Sequence, residues 1–357
     1  MNRIFITHIL PGDDGVNAGI SIASTNFSLN LISSGAFDNV YSILPPFVNG
    51  SFAEPTNSKV DLICNRWLRN TPFRKLAAVF EQISLFRKIP KGANVWLYNM
   101  TAINGILVKL LRTFKPTVRI YPIVLDFTPG EVTAEKWLPT INTCEGRITL
   151  STSDRFNQRN TVCLPGVTPY EKEEWPKVTA PTREFIISGQ LSDNISLLSK
   201  LLPVFAEHSD WILNITGNPT KLAKEYSESY PNIKCYGKCS YSKFLDILHR
   251  SPFLLSTRDP KMPENQCNFP SKIIEGLLHN RIIISTMDYP QLNPIKYLKI
   301  DAANLERDLS SVINMTSDSL LEYANQAEQT DRMFNAKRWA MEMERIERCS
   351  IDIAVNH

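Results

Sequence analysis

The densest run of chemistry-bearing side chains lies between residues 254 and 286 and reads LLSTRDPKMPENQCNFPSKIIEGLLHNRIIIST. Pro270 stands where a helix can begin, because its missing amide costs nothing in a first helical turn. The amides of Ser271, Lys272 and Ile273 then face outward, and the helix dipole favours an anion such as a diphosphate at that end. Arg258, Lys261 and Lys272 can bring positive charge to the same place, and Glu264 and Glu275 are the nearby carboxylates. Each also has an ordinary use: Lys272 and Glu275 as solvated helix residues, Arg258 as a loop ion pair. Two further candidates sit at strand ends. His8 closes the first strand, and its side chain titrates in the range that suits proton transfer. Asp126 ends a later strand, where a carboxylate serves either a site or a turn.

The elements that must position these residues follow from apolar runs broken by glycine and proline. Residues 3–9 form an apolar, partly β-branched strand, followed by a loop with Gly12, Gly15 and Gly19, a helix over about 19–34 and a strand over 39–44. Strand, glycine loop, helix and strand open a βαβ unit. The glycine spacing is not G-x-G-x-x-G and argues against a dinucleotide fingerprint, although close backbone approach to a ligand at Gly15 remains one use of the loop. Strands at 94–98, 118–125, 147–150 and 161–164 and helices at 101–114 and 153–158 continue the series. Residues 165–182 carry Pro165, Pro169, Pro176 and Pro181, which suit neither a helix interior nor a sheet ladder. A second series begins at residue 184, with strands at 184–188, 211–216, 232–236, 252–256 and 281–285. The divisions are 1–168, a linker at 169–182, 183–335, and a helical tail at 336–357 that either closes the second domain or crosses back to the first. Apolar strands joined by helices imply two α/β domains, each with a parallel sheet buried on both faces.

Bulk properties exclude several classes. With 357 residues the chain is long enough for two cores. A net charge of +3 and a pI of about 8.4 fall short of a dedicated nucleic-acid binder, and no nucleic-acid partner is expected. The 7 cysteines are scattered and form no CxxC pair, so neither a disulfide framework nor a zinc knuckle is expected. The N-terminal apolar run is interrupted by His8, Pro11 and Gly12, too early for a signal peptide, and no window of about 18 apolar residues exists to cross a membrane. A cytoplasmic location is the expectation.

Residues 232–289 resemble the donor-binding half of the GT-B glycosyltransferases, and in particular glycosyltransferase family 4. The resemblance rests on Tyr236–Gly237, on Leu254–Thr257, on the "FPSKxxE" run from Asn268 to Glu275, and on Asn280–Thr286. Leu164–Pro165–Gly166–Val167 is similar to the family's element closing the first domain, and Phe185–Ile186–Ile187–Ser188–Gly189 to its first strand of the second. The resemblance covers the second domain well and the first loosely. It implies a GT-B fold of two Rossmann-like domains with parallel sheets facing across a cleft. It also implies retaining, metal-independent transfer of a sugar from a nucleotide-sugar substrate, with no separate cofactor. Glu275 would accept hydrogen bonds from the donor ribose, while Ser271, Lys272, Gly189, Gln190, Gly15 and Glu264 would line the donor site. Asp126, Arg258 and His8 are the catalytic candidates. Lipid-linked oligosaccharides or other glycans of bacterial surface polysaccharides are the implied acceptors. The chain departs from the family at three positions: Gln190 and Ile195 replace an Arg and a Lys, and Cys267 replaces an acid. A catalytically inactive GT-B relative that binds a glycan or a partner protein is therefore the alternative. A nucleotide-sugar epimerase of the same shape is a further one. The chain has no DxD element of the kind that clamps a metal in the GT-A enzymes.

Residues 65–92 set Arg66, Arg69, Arg74, Lys75, Arg87, Lys88 and Lys91 against one acid, Glu81, with Trp67, Leu68, Phe73, Leu76, Phe80, Ile83 and Phe86 between them. A basic amphipathic helix of this kind suits the surface of an anionic membrane, here the inner face of the plasma membrane. The other reading is a core-packing helix with a solvated basic rim.

Overall fold

The computed structural model describes residues 2–10, 19–53, 59–169 and 174–355. The chain divides into two compact units, Met1–Tyr170 with Asn335–His357, and Glu171–Phe334.

The first unit runs β1 (Arg3–Thr7), α1 (Ile22–Ser33), β2 (Asn39–Ser42), β3 (Asp61–Leu62), α2 (Arg66–Arg69), α3 (Arg74–Lys88), β4 (Asn94–Tyr98), α4 (Gly105–Phe114), β5 (Arg119–Val124), α5 (Val132–Asn142), β6 (Arg147–Thr149) and β7 (Thr161–Cys163). Among the described residues its sheet has seven strands in the order β3-β2-β1-β4-β5-β6-β7. Every pairing is parallel. All five residues of β4 are buried, as a central strand covered on both faces requires.

The second unit runs β8 (Glu184–Gln190), α6 (Asp193–Ser196), α7 (Leu198–Glu207), β9 (Ile212–Asn218), α8 (Lys221–Ser229), β10 (Ile233–Gly237), α9 (Tyr241–Arg250), β11 (Phe253–Ser256), α10 (Pro263–Cys267), α11 (Ser271–Leu278), β12 (Ile282–Ser285), β13 (Leu298–Lys299), α12 (Leu305–Ile313), α13 (Ser317–Leu321) and α14 (Ala327–Phe334). Its strands are ordered β10-β9-β8-β11-β12-β13 and are again all parallel. Side-chain caps start several helices: Thr220 Oγ1 accepts from the Ala223 amide at 3.2 Å and Ser240 Oγ from the Lys243 amide at 3.3 Å. Phe185 centres the core, stacked on Phe253 at 5.0 Å and edge-on to Phe205 at 5.1 Å.

The last helix, α15 (Ala336–Val355), belongs to the first unit. Trp339 Nε1 donates to the Gly166 carbonyl at 2.7 Å. The buried Glu347 carboxylate accepts from Trp96 Nε1 at 2.7 Å and from both Arg3 Nε and Nη2 at 2.8 Å. The sequence left two destinations open for this tail, and these bonds decide between them.

Several local expectations are corrected. Residues 153–158 form a turn rather than a helix, and Phe156 is buried against Phe127 at 5.2 Å. Helix α5 carries Pro139 in its interior, which hid it from a reading that treats proline as a breaker. The first strand ends at Thr7, two residues early, and the His8 ring beyond it lies 3.0 Å from the Ile43 carbonyl.

Helix α3 is inverted relative to a simple amphipathic pattern. Arg69 is not part of an outward basic face: its side chain is buried and paired with Glu81 at 2.5 Å. Its guanidinium also donates to the carbonyls of Leu44, Pro45 and Val48 at 2.8–2.9 Å. Gln82, buried beside Glu81, accepts from the Ile106 and Leu107 amides at 3.0 Å and so caps α4. Removing one partner of a buried pair leaves the other charge unmatched. Glu81→Ala should therefore lower unfolding stability by about 3–5 kcal/mol, measured by urea denaturation, while substitution of the exposed Lys75 should change it little.

Candidate functional site

In each sheet the strand order reverses once, between β1 and β4 in the first unit and between β8 and β11 in the second. Helices leave neighbouring strands toward opposite faces at such a point, so a crevice opens beyond the carboxyl ends of the two strands. His8 follows β1 at the first of these places, and Gly189, Gln190 and Arg258 stand at the ends of β8 and β11 at the second.

In the second unit, the ends of β8 and β9 run side by side with Gly189 opposite Gly217 and Gln190 opposite Asn218. Gly189 has φ +120° and Gly217 φ +108°, a region that L side chains rarely adopt. A Cβ on Gly217 would lie 2.2 Å from the Gly189 carbonyl oxygen. Gly189 is a sequence candidate; Gly217 is not, and the parallel context of the two (Ser188–Gly189–Gln190 beside Thr216–Gly217–Asn218) is the signal that could have found it. Gln190 is exposed. After it the chain turns at Leu197, a buried residue with φ +49°, which strains a branched side chain. Thr257 Oγ1, just past β11, donates to the Ser196 carbonyl at 2.7 Å and ties this turn to the far wall of the crevice. Sequence reasoning used Thr257 only as part of a motif.

Arg258 follows directly. Its Nη1 reaches Asn265 Oδ1 at 3.4 Å and the Asn268 carbonyl at 3.3 Å, so α10 and the chain after it steady the guanidinium. Asn265 is itself buried and donates to the Asp259 carbonyl at 3.0 Å, a role that nothing in the sequence pattern marked. Glu264 lies in the first turn of α10. Helix α11 starts after Pro270 without a side-chain cap, and Ser271 is exposed. Of the three amides expected to face an anion, that of Ile273 is already bonded to the Pro270 carbonyl at 3.0 Å. Lys272 Nζ pairs with Glu275 Oε2 at 2.7 Å and lies 4.5 Å from the centre of the Phe244 ring. Both groups are partly exposed, so the pair contributes little to stability and is easily exchanged.

At the other end of α11, His279 Nδ1 meets His249 Nε2 at 2.9 Å, and Trp175 covers the His279 ring at 4.2 Å. Burial, with the neighbouring His249 and Arg281, pushes His279 down to about 3.

In the first unit, His8 is buried, with Nδ1 3.0 Å from the Ile43 carbonyl and Nε2 3.5 Å from Asn104 Nδ2. With Nδ1 protonated and donating, Nε2 accepts, and the ring is neutral; burial holds its pKa down at about 4. Asn104 Nδ2 also donates to the Asn99 carbonyl at 2.7 Å, and Asn99 Oδ1 accepts from the Leu125 amide at 2.7 Å. This chain of polar contacts joins the ends of β1, β4 and β5. Asn99 has φ +51°, one of the uncommon non-glycine residues in the left-handed region. Asp126 is exposed at the end of this network and lines a pocket of about 210 Å³ with Thr101, Phe127, Glu131 and Trp137. Gly15 lies outside the described residues.

No family model matches the chain, and no curated protein matches it. Solved structures do. The lipopolysaccharide outer core galactosyltransferase WaaB shares 16% identity at a TM-score of 0.58, over 97% of this chain and 99% of WaaB. Anabaena HepE in complex with UDP-glucose shares 12% at 0.60, over 98% of each chain. TarM shares 14% at 0.55 over 76% of this chain, and the match spans only 57% of TarM's own length. At these identities the likeness is one of fold: the chain has the GT-B fold, two Rossmann-like domains with parallel sheets.

Two expected outcomes follow from the geometry. Gly217→Ala should destabilise the protein by about 3 kcal/mol or more, since it adds a backbone clash to a strained φ; chemical denaturation measures it. His8 and His279 both have depressed pKa values, so between about 6.5 and about 4 the unfolded chain binds protons that the native His8 refuses. The contribution of His8 to stability is therefore full above about pH 6.5 and is lost as pH drops through this window. His8→Asn should flatten that slope by about one proton, roughly 1.4 kcal/mol per pH unit, in denaturation curves taken across the range.

Proposed function

We propose that this chain is a glycosyltransferase that takes its sugar from a nucleotide-sugar donor, and that the second unit holds the donor's diphosphate and ribose. The observation that carries this reading is the assembly at the reversal of the second sheet. There β11 leads to Arg258 and on to the uncapped start of α11 with Lys272 and Glu275, while β8, its neighbour across the reversal, ends with Gly189 opposite Gly217 of β9. Backbone without side chains permits close approach of a ligand, while the helix start and two cations favour its phosphates. HepE, a protein of the same fold, holds UDP-glucose in its structure, which supports the donor class.

The residues divide the work by chemistry. As the bond to the sugar breaks, negative charge grows on the departing diphosphate. Arg258, Lys272 and the amides of Ser271 and Lys272 are the groups that would stabilise it. Glu275 would accept from ribose hydroxyls, and hydrogen bonds to a charged acceptor contribute about 1.5–3 kcal/mol, roughly ten- to a hundredfold in affinity. Lys272 and Glu275 pair with each other at 2.7 Å. Donor binding would exchange that pair for Lys272–phosphate and Glu275–ribose contacts. In the first unit, Asp126 and its pocket offer a carboxylate for an acceptor hydroxyl. His8, neutral and held on both nitrogens, would order the strand ends. Retention at the anomeric carbon, independence from metal, a glycan or lipid-linked acceptor in bacterial surface polysaccharide synthesis, and a cytoplasmic location complete the proposal.

A second reading has its own support. Gln190 and Ile195 stand where a phosphate-binding Arg and Lys are usual in the family that the sequence resembles, and Cys267 stands in place of an acid. A chain that kept the GT-B fold and lost transfer would show these changes.

The deciding measurement is a thermal-shift screen against UDP-, GDP-, CMP-, ADP- and dTDP-sugars, repeated with Glu275→Ala and Lys272→Ala. A ligand present at a hundred times its Kd should add about 2.7 kcal/mol. Stabilisation by one nucleotide that both variants lose supports the donor site. Stabilisation by none brings the inactive reading forward.

A further inference from the structure

Helix α3 faces the wrong way for a helix that packs by its apolar stripe. Its inner face holds Ala77, Ala78, Glu81, Gln82 and Leu85, and it is fixed by the Arg69–Glu81 pair and by Gln82 on the start of α4. Its outer face carries Phe73, Leu76 and Phe80, spaced three and four residues apart and exposed by 64%, 46% and 51%. Trp67 on the neighbouring α2 is 78% exposed. Single exposed apolar side chains are ordinary, whereas several aligned on one helix face mark a surface with a partner.

The exposed charges of residues 65–92 are of one sign. Arg74, Lys75, Arg87 and Lys88 are exposed. Glu81 is the one acid in residues 65–92, and it is buried against Arg69. The internal ion pair thus removes the segment's only negative charge from the surface while it anchors the helix. An open pocket of about 610 Å³ lies at the amino end of α3, where Asn70, Thr71 and Arg74 line it with donors. No helix among the described residues is long and apolar enough to cross a membrane.

We infer that the outer face of α2 and α3 is a docking surface for an anionic lipid bilayer, lying in the interface rather than spanning it. Aromatic and aliphatic side chains enter the boundary between headgroups and acyl chains, and the flanking Lys and Arg meet lipid phosphates. The charge complementarity selects the partner: an apolar ridge whose own exposed charges are all cationic fits a surface that is apolar below and anionic above. This inference stands independently of the donor site.

The test is co-sedimentation of the full chain with vesicles of equal parts phosphatidylglycerol and phosphatidylcholine, against vesicles of phosphatidylcholine alone. The protein should pellet with the anionic vesicles and be released by salt. Arg74→Glu with Lys75→Glu, and separately Trp67→Ser with Phe80→Ser, should each weaken partitioning by about tenfold or more. All four side chains are exposed, so unfolding midpoints should stay unchanged and serve as the control for folding. Equal pelleting on both vesicle types, or variants that pellet like the wild type, would overturn the inference. So would a concentration-dependent oligomer that Phe80→Ser abolishes, since a second protein would then own the ridge.

Discussion

Parallel strands cannot be joined by tight turns. Each must hand over to a helix and return, so in both sheets every strand ends on the same edge, and that constraint decides where this protein can hold anything. Where the order reverses, at β1 beside β4 and at β8 beside β11, the connecting segments part and leave room. What fills those two places differs. The first is closed by a polar chain from His8 through Asn104 to Asn99. At the second, Gly217 packs against the backbone of Gly189, and Thr257 ties the strained Leu197 turn to the end of β11.

Buried cations recur as fasteners. Arg69 is matched by Glu81. Arg147 is wrapped by the carbonyls of Asn142, Cys144 and Asn157, and Arg281 donates to those of Pro176, His249 and His279. Burial lowers the pKa of both, Arg281 to about 10, and each remains charged at neutral pH. Such groups add little net stability, because desolvation offsets much of the attraction; what they provide is a defined geometry for segments that lack regular ladders. Arg281 orders the proline-rich chain near Pro176 against the end of α9 and donates to the His279 carbonyl at the end of α11. Arg69 orders the loop after β2 and frees the apolar face of α3 for solvent or for a partner.

Much of the architecture was legible in the amino-acid order. Alternation of apolar strands with helices determined two parallel α/β units, because no other fold class buries such strands on both faces. Strand β4 lies where the apolar run 94–98 predicts it. The start of α11 follows from Pro270, and Lys272 and Glu275 lie in its first turns, paired with each other. Short or disguised elements escaped: β3 has two residues on a sheet edge, and α5 carries a proline.

The tertiary structure alone decided the direction in which side chains face. A helical pattern reports which residues share a face, not which face is turned inward. For α3 the answer came from Arg69, twelve residues from Glu81 in sequence and paired with it in space. The same holds for Gly217, whose need to lack a side chain arises from Gly189 on another strand, and for Glu347, which waits at the end of the chain for Trp96 and Arg3. Local sequence specifies what each segment can form. Contacts between segments far apart in the chain depend on how those segments pack, and no local pattern records them.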